Sequence, residues 1–488
     1  MKALIASSEV VPFVKTGGLA DVAGTLVNEL KKAGVDADVI LPLYRRIKQS
    51  ADDWGIKPLK QEIAVPLGND IEKGRLWKGS TSEGADAYFI ENAKFYDRDG
   101  LYGMPEGDYH DNAARFIFYS HGVMEAIKAL GLNADIIHCN DWQTGLIPVY
   151  LKTIYRDDFP KTASIMTVHN LGYQGIFPRL DLPLTGLGWD MFHMEALEFY
   201  GKLNLLKGGL LFADVITTVS KTYAKEIQTP EYGFGLENVL SKRSSNLYGI
   251  INGIDYSEWD PWKDSFIQAR FSKKNLKGKA VCKNILQKEY GLPDDDSPLI
   301  GMVTRLSSQK GLDLVAEAVE GIVESGAQMV ILGIGDEHFH KVLSDLQARN
   351  SRSISVTIGF DNILAHKIYA GSDIFLMPSL YEPCGLGQLI ALRYGTIPVA
   401  RRTGGLNDTI AEYDFSIGTG TGFLFDLYSL DQMLNAIKRA VEAFKNKKHW
   451  EQIQSNAMSQ DFSWHKSAKE YRALYKMIVK KKVRKRAD

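Results

Sequence analysis

The pattern that most constrains this chain is an opening that occurs twice: an apolar run, a loop carrying a lysine beside glycine, then a helical stripe. The first copy has the run from Lys2 to Ala6 and the loop Lys15-Thr-Gly-Gly18. Leu19, Val22, Ala23, Leu26 and Leu30 then share one helical face, and Gly34 ends the helix. A second apolar run, Asp38-Val-Ile-Leu-Pro42, follows at once. The order strand, loop, helix, strand predicts a parallel sheet with a right-handed crossover. The second copy begins at Pro298-Leu-Ile-Gly-Met-Val-Thr-Arg305, continues through Leu306 to Lys310, and opens a helix at Gly311 in which Val315, Ala318, Val319 and Ile322 face one way. Three further runs, Ala134 to Asp141, Ala163 to Asn170 and Ala213 to Ser220, each end in polar residues. They read as buried strands with chemistry at their carboxyl ends.

Two such openings in 488 residues predict an α/β chain of two doubly wound, Rossmann-like domains facing each other across a cleft. Residues 256–298 are poor in strand signal, which places a boundary near them. The expected division is residues 1–245 and 246–461. Trp464, Ala468, Tyr471, Tyr475 and Ile478 form an apolar stripe, so a helix over residues 462–480 is expected to pack back on the first domain.

Composition excludes several classes of function. Lys and Arg total 58 against 59 Asp and Glu, a formal net charge of -1 with no field favouring nucleic acid or an anionic membrane. The basic run Lys480 to Arg486 reads as a solvated helix tail. The three cysteines, Cys139, Cys282 and Cys384, are far apart and include no C-x-x-C pair, which fits a reducing cytoplasm. The apolar run at the N-terminus is broken by Glu9, too early for a signal peptide, and nothing approaches the length of a membrane span. No metal site is expected. His338 and His340 do not share a helical face, and Asp97-Arg-Asp99 reads as a surface loop.

The loops carry the chemistry. Lys15-Thr-Gly-Gly-Leu-Ala-Asp21 places bare backbone and a helix start beside a cation, which suits an anion; the alternative is a tight turn with a surface lysine. Arg305 and Lys310 lie on a strand-to-helix loop where both cations can converge on a diphosphate, or simply be solvated. Tyr381-Glu382-Pro-Cys-Gly385-Leu386-Gly387 sets a carboxylate beside a glycine-rich helix start, placed to bind hydroxyls or to complement the helix dipole. Cys384 reads as a packing residue rather than a nucleophile. There is no P-loop, and Gly333-Ile-Gly335 lacks a third glycine and reads as a strand-end turn. His138 and His169 both end strands.

Taken in order, Lys15 to Asp21, Asn140-Asp-Trp-Gln-Thr-Gly-Leu146, Thr167-Val-His-Asn170, Thr229 to Gly235, Asn252-Gly-Ile-Asp255, Arg305 to Gly311, Glu382-Pro-Cys-Gly-Leu386 and Arg402-Thr-Gly-Gly-Leu406 resemble the bacterial glycogen synthase and plant starch synthase family over nearly the whole chain. The resemblance implies a GT-B glycosyltransferase. It would move glucose from ADP-glucose to the non-reducing end of an α-1,4-glucan, with retention and with neither metal nor cofactor. By that resemblance Lys15 and Gly18 belong to the ADP-glucose site with Asp21; Arg305 and Lys310 are the diphosphate cations; Glu382 is the carboxylate beside the sugar. His169 lies near the transferred glucose, Asp141 is the acid of the D-W motif, Asn252 is a polar contact near the donor, and Tyr381, Gly385 and Leu386 complete the substrate-binding positions. Gly387 departs from relatives that carry Thr or Ser there, removing a hydroxyl contact to phosphate.

With cations on both walls, nucleotide sugar is expected to compact the molecule. Retention leaves a double displacement or a front-face route, and the resemblance implies the front-face route, with Glu382 as a sugar-binding and electrostatic residue. Trp189, Phe192, Phe199, Tyr200 and Tyr232 offer faces for stacking on a glucan or for core packing. Competing readings are UDP-glucose transfer to a small acceptor, an epimerase, and a non-catalytic glucan-binding protein; the four residues Lys15, Arg305, Lys310 and Glu382 speak against the last.

Overall fold

The computed structural model describes residues 1–104 and 106–487, with side chains given through residue 482. They form two compact units: Met1–Val219, Ala224–Ile250 and the C-terminal helix from Trp464; and Ser220–Tyr223 with Ile251–Ser463.

The sheet of the first unit has nine strands. In spatial order they are Leu247–Gly249, Val215–Thr218, Ala163–Val168, Ile136–Asn140, Lys2–Ala6, Asp36–Pro42, Asp86–Glu91, Asp70–Ser80 and Lys57–Leu67. The pairings from Leu247–Gly249 through Asp86–Glu91 are parallel, and Asp70–Ser80 and Lys57–Leu67 add an antiparallel hairpin at one edge. Strand order reverses between Lys2–Ala6 and Ile136–Asn140. The strands bracketing that reversal are fully buried along Ile136–Asn140 and almost so along Lys2–Ala6, as the near-continuous apolar runs require of a sheet covered on both faces. The edge strand Leu247–Gly249 pairs with Val215–Thr218 and carries the unit on to Ile250, a few residues past the boundary expected after residue 245.

The second unit holds six strands, all parallel, in the spatial order Ile354–Ile358, Gln328–Gly335, Leu299–Leu306, Ile374–Met377, Ile397–Arg401, Phe423–Phe425. In sequence rank this is 3-2-1-4-5-6, the doubly wound order with its switch point between the first and fourth strands. Two apolar clusters cover opposite faces. One joins Val315, Val319, Ile331 and Ile437; the other joins Leu286, Val330, Ile368 and Leu389. Val330 and Ile331 are consecutive in one strand and fall in different clusters because successive side chains point to opposite faces. Gly333 and Gly335 are part of the strand Gln328–Gly335 rather than a turn beyond it. A Cβ at either would lie within 2.3 Å of the Thr304 or Leu306 carbonyl oxygen, so they are glycine because the neighbouring strand approaches closely.

The C-terminal helix runs Trp464–Ala487, and all five residues of its expected stripe are buried. It packs against the helix Gly18–Lys32 within the first unit. Tyr475 reaches a buried ring, its hydroxyl 2.6 Å from His138 Nδ1, while His138 Nε2 lies 2.5 Å from Thr167 Oγ1. Lys482 Nζ sits 3.3 Å from Asp214, which also binds Lys152. The remainder of the basic run Lys480 to Arg486 has its side chains, from residue 483, outside the described residues.

Candidate functional site

Each unit gathers its chemistry at its own switch point, in the loops after the first and fourth parallel strands. In the first unit, the loop after Lys2–Ala6 leads through Lys15 to the helix Gly18–Lys32, which begins without a side-chain cap. Lys15 Nζ lies 2.8 Å from Asp21 in the first helical turn. Burial lifts the Asp21 carboxyl above its ordinary range, against the pull of Lys15.

Glu9 shapes this loop, and sequence reasoning missed it. Its carboxylate is buried and accepts from Thr16 Oγ1 at 2.6 Å, Gly17 N at 3.2 Å, Tyr102 Oη at 2.6 Å and, closest, Thr16 N. A charge out of water is tolerated when each oxygen is hydrogen-bonded, and these bonds fix the backbone on which Lys15 stands.

The fourth strand, Ile136–Asn140, supplies the second half of this cluster. Asp141 has φ 56° and ψ -177°, a sparsely populated backbone that a residue with a side chain keeps only where its surroundings enforce it. Its Oδ1 accepts from His169 N at 2.8 Å. Burial pushes its carboxyl up to about 7, although the His169 and Asn170 amides favour the charged form. Asn140 Nδ2 donates to the Ala6 carbonyl, leaving Oδ1 to accept from His169 Nε2 at 2.9 Å. Burial holds the His169 ring down to about 3, so it is neutral near pH 7 with its proton on Nε2 and Nδ1 free to accept. The fully buried His138 has both nitrogens committed to Tyr475 and Thr167, so it serves the core rather than the site.

In the second unit, Arg305 lies exposed at the end of the strand Leu299–Leu306, its guanidinium 3.1 Å from Gln309 Oε1. Gln309 Nε2 donates to the Tyr381 carbonyl at 3.2 Å. Lys310 Nζ donates to Glu382 Oε2 at 2.6 Å, and Ser379 Oγ donates to the same oxygen at 3.0 Å. Lys310 and Glu382, expected on separate loops, are thus one ion pair, with side-chain exposures of 19% and 6%. Ser379 and Gln309 are ordinary loop residues without a spacing signal.

The Glu382-Pro-Cys-Gly385-Leu386 backbone is held by the later glycines. Gly405 N donates to the Glu382 carbonyl at 3.0 Å, and a Cβ on Gly405 would lie 1.9 Å from the Cys384 carbonyl oxygen. Asn252 is buried and its Oδ1 has no hydrogen-bond partner. Cys384 is buried and its thiol is pushed up to about 12, inert as a packing residue should be. At Gly387, the first residue of the helix Gly387–Arg393, a Cβ would lie 2.9 Å from Phe375 Cε1. In this chain the helix packs on that ring too closely for the Cβ of Ser or Thr without a shift of the ring. Asp97 and Asp99 both bind Arg45, at 2.7 and 2.6 Å. Among the described residues, no group of three or more His, Cys, Asp and Glu side chains could hold a metal ion, and no helix is long and apolar enough to cross a membrane.

A model of the starch synthase catalytic domain matches residues 2–242, and one of group 1 glycosyl transferases matches residues 284–458. The chain is 47% identical over 477 residues to a glycogen synthase of Koribacter versatilis, covering 97% of this chain and 98% of that one. It is 46% identical over 482 residues to glycogen synthase 2 of Geobacter sulfurreducens, covering 98% and 99%. The catalytic domain of starch synthase IV from Arabidopsis thaliana, solved bound to ADP and acarbose, superposes with a TM-score of 0.89 at 33% identity, covering 98% of this chain and 99% of that one. A sucrose-phosphate synthase from Thermosynechococcus elongatus shares the fold alone, with a TM-score of 0.62 at 17% identity and 98% of each chain covered. The fold is GT-B, two Rossmann-like α/β domains.

Proposed function

Because the chain belongs to the glycogen synthase family of glycosyltransferases, we propose that it transfers glucose from ADP-glucose to the non-reducing end of an α-1,4-glucan with retention at the anomeric carbon. The observation that carries the reading is the composition of the second unit's switch point, where Lys310 pairs with Glu382 and Arg305 stands at the start of the same loop against Gln309. Breaking the anomeric C–O bond builds negative charge on the departing diphosphate and positive character on the sugar. Arg305 and Lys310 stabilise the first. Glu382, with two hydrogen bonds already drawn to Oε2, keeps Lys310 in place and offers Oε1 to the sugar.

Lys15 adds a third cation, on a loop that Glu9 holds rigid. Neutral His169 presents Nδ1 to a sugar hydroxyl, with its ring oriented by Asn140. Asp141 anchors the backbone beneath it. Gly18, Asp21, Asn252, Tyr381, Gly385 and Leu386 complete the substrate contacts; the unpaired Asn252 Oδ1 suits a donor on the ligand. A front-face route fits this set, because the departing phosphate takes the acceptor's proton and no carboxylate nucleophile is required. The buried free thiols of Cys139, Cys282 and Cys384 support a cytoplasmic enzyme.

The test is elongation of glycogen by purified protein offered ADP-glucose or UDP-glucose in the presence of a chelator. Elongation chiefly from ADP-glucose is expected. Preference for UDP-glucose, or no transfer from either donor, would overturn the reading.

A further inference from the structure

Two backbone positions outside the candidate site place aromatic residues where the chain least favours them. The hairpin between the strands Glu198–Phe199 and Lys202–Asn204 turns on Tyr200 and Gly201, with φ 49° and 76°. A second tight turn, closed by Leu236 N donating to the Gly233 carbonyl at 2.8 Å, is centred on Phe234 and Gly235, with φ 49° and 83°. Positive φ at both central residues is the type I′ backbone, whose first position favours Asn, Asp or Gly. Here each turn carries an aromatic ring instead, and both rings are exposed, Tyr200 by 80% and Phe234 by 40%. Strain of this kind persists where surrounding structure enforces it and function retains it.

The two turns lie against each other. A Cβ on Gly235 would sit 2.9 Å from Phe199 Cζ and 3.3 Å from Tyr200 Cε2. Phe199 props Tyr200 edge to face, with centroids 4.7 Å apart. Gln174 Nε2 donates to the Phe234 carbonyl at 3.0 Å, and Gln174 Oε1 accepts from Asn204 at 2.7 Å, tying the second turn to the strand that leaves the first. Burial does not account for the Tyr200 ring, so its place in the core is excluded.

We infer that Tyr200 and Phe234 form an aromatic platform that binds an α-glucan chain by stacking against the apolar faces of its glucose rings. The inference rests on the proposed transfer to glucan, which supplies the occupant: a polymer of stacked, hydroxyl-rimmed apolar faces is what propped, exposed rings recognise.

The test uses the full chain and the substitutions Tyr200→Asn and Phe234→Asn. Asn removes the ring yet suits the left-handed backbone, so neither variant should lower Tm. Expected are a rise of about fivefold to tenfold in KM for glycogen, no change in KM for ADP-glucose, and weaker retardation in native gels containing glycogen. Unchanged retardation and KM in variants of an active enzyme would overturn the platform, as would loss of self-association as the only change. If wild type transfers no glucose but is retarded by glycogen through these rings, the platform stands and the transfer reading falls.

Discussion

At Asp141 burial of a carboxyl works against stability. Its unfolded pKa lies near 4, and burial raises it to about 7 in the fold. A raised carboxyl favours the fold where it is protonated, so its contribution diminishes as pH rises from about 4 through 7. Asp141→Asn, which keeps the side chain's shape and an amide oxygen for His169 N, should therefore gain in Tm relative to wild type as pH goes from 5 to 8. Thermal melts across that range check this; a Tm difference independent of pH would contradict it. Asp141, Lys15, Arg305, Lys310 and Glu382 are candidates in the sequence through their strand-end motifs, and the structure places each at a strand end or in the loop after it, at the switch point of its own sheet. Glu9 was not legible there, because its partners Thr16, Gly17 and Tyr102 are brought to it by tertiary structure and carry no spacing of their own. Nor was the Lys310–Glu382 ion pair, which joins loops remote in sequence.

Among the elements, the C-terminal helix was read from its apolar stripe, and burial of Trp464, Ala468, Tyr471, Tyr475 and Ile478 explains why that stripe is continuous. Its polar anchor was not readable: an ordinary tyrosine becomes the partner of a buried histidine only once helix and strand are packed. Tyr475→Phe leaves His138 Nδ1 buried without its partner, and should destabilise the first unit by about 1–3 kcal/mol. A lowered Tm with secondary structure intact is the expected result; an unchanged Tm would show that the bond adds nothing. The strand Gln328–Gly335 teaches the converse, since its two glycines looked like a turn and instead admit a neighbouring backbone.

For the molecule as a whole, the two openings seen in the sequence correspond to two sheets wound in the same sense, each with a lysine-bearing loop after its first strand and a carboxylate-bearing loop after its fourth. That correspondence is the architectural reason the chemistry was legible: parallel sheets place functional loops at the reversal of strand order. The edge strand Leu247–Gly249 is only three residues long, too short to stand out as a strand against the loops around it in the sequence. In the proposed function Lys15 and Lys310 each serve glucosyl transfer. Steady-state kinetics of Lys15→Ala and Lys310→Ala with ADP-glucose and glycogen test it most directly. Each substitution is predicted to lower kcat/KM by on the order of 10²-fold or more, the scale of losing one preorganised charge; full activity in either variant would contradict the account.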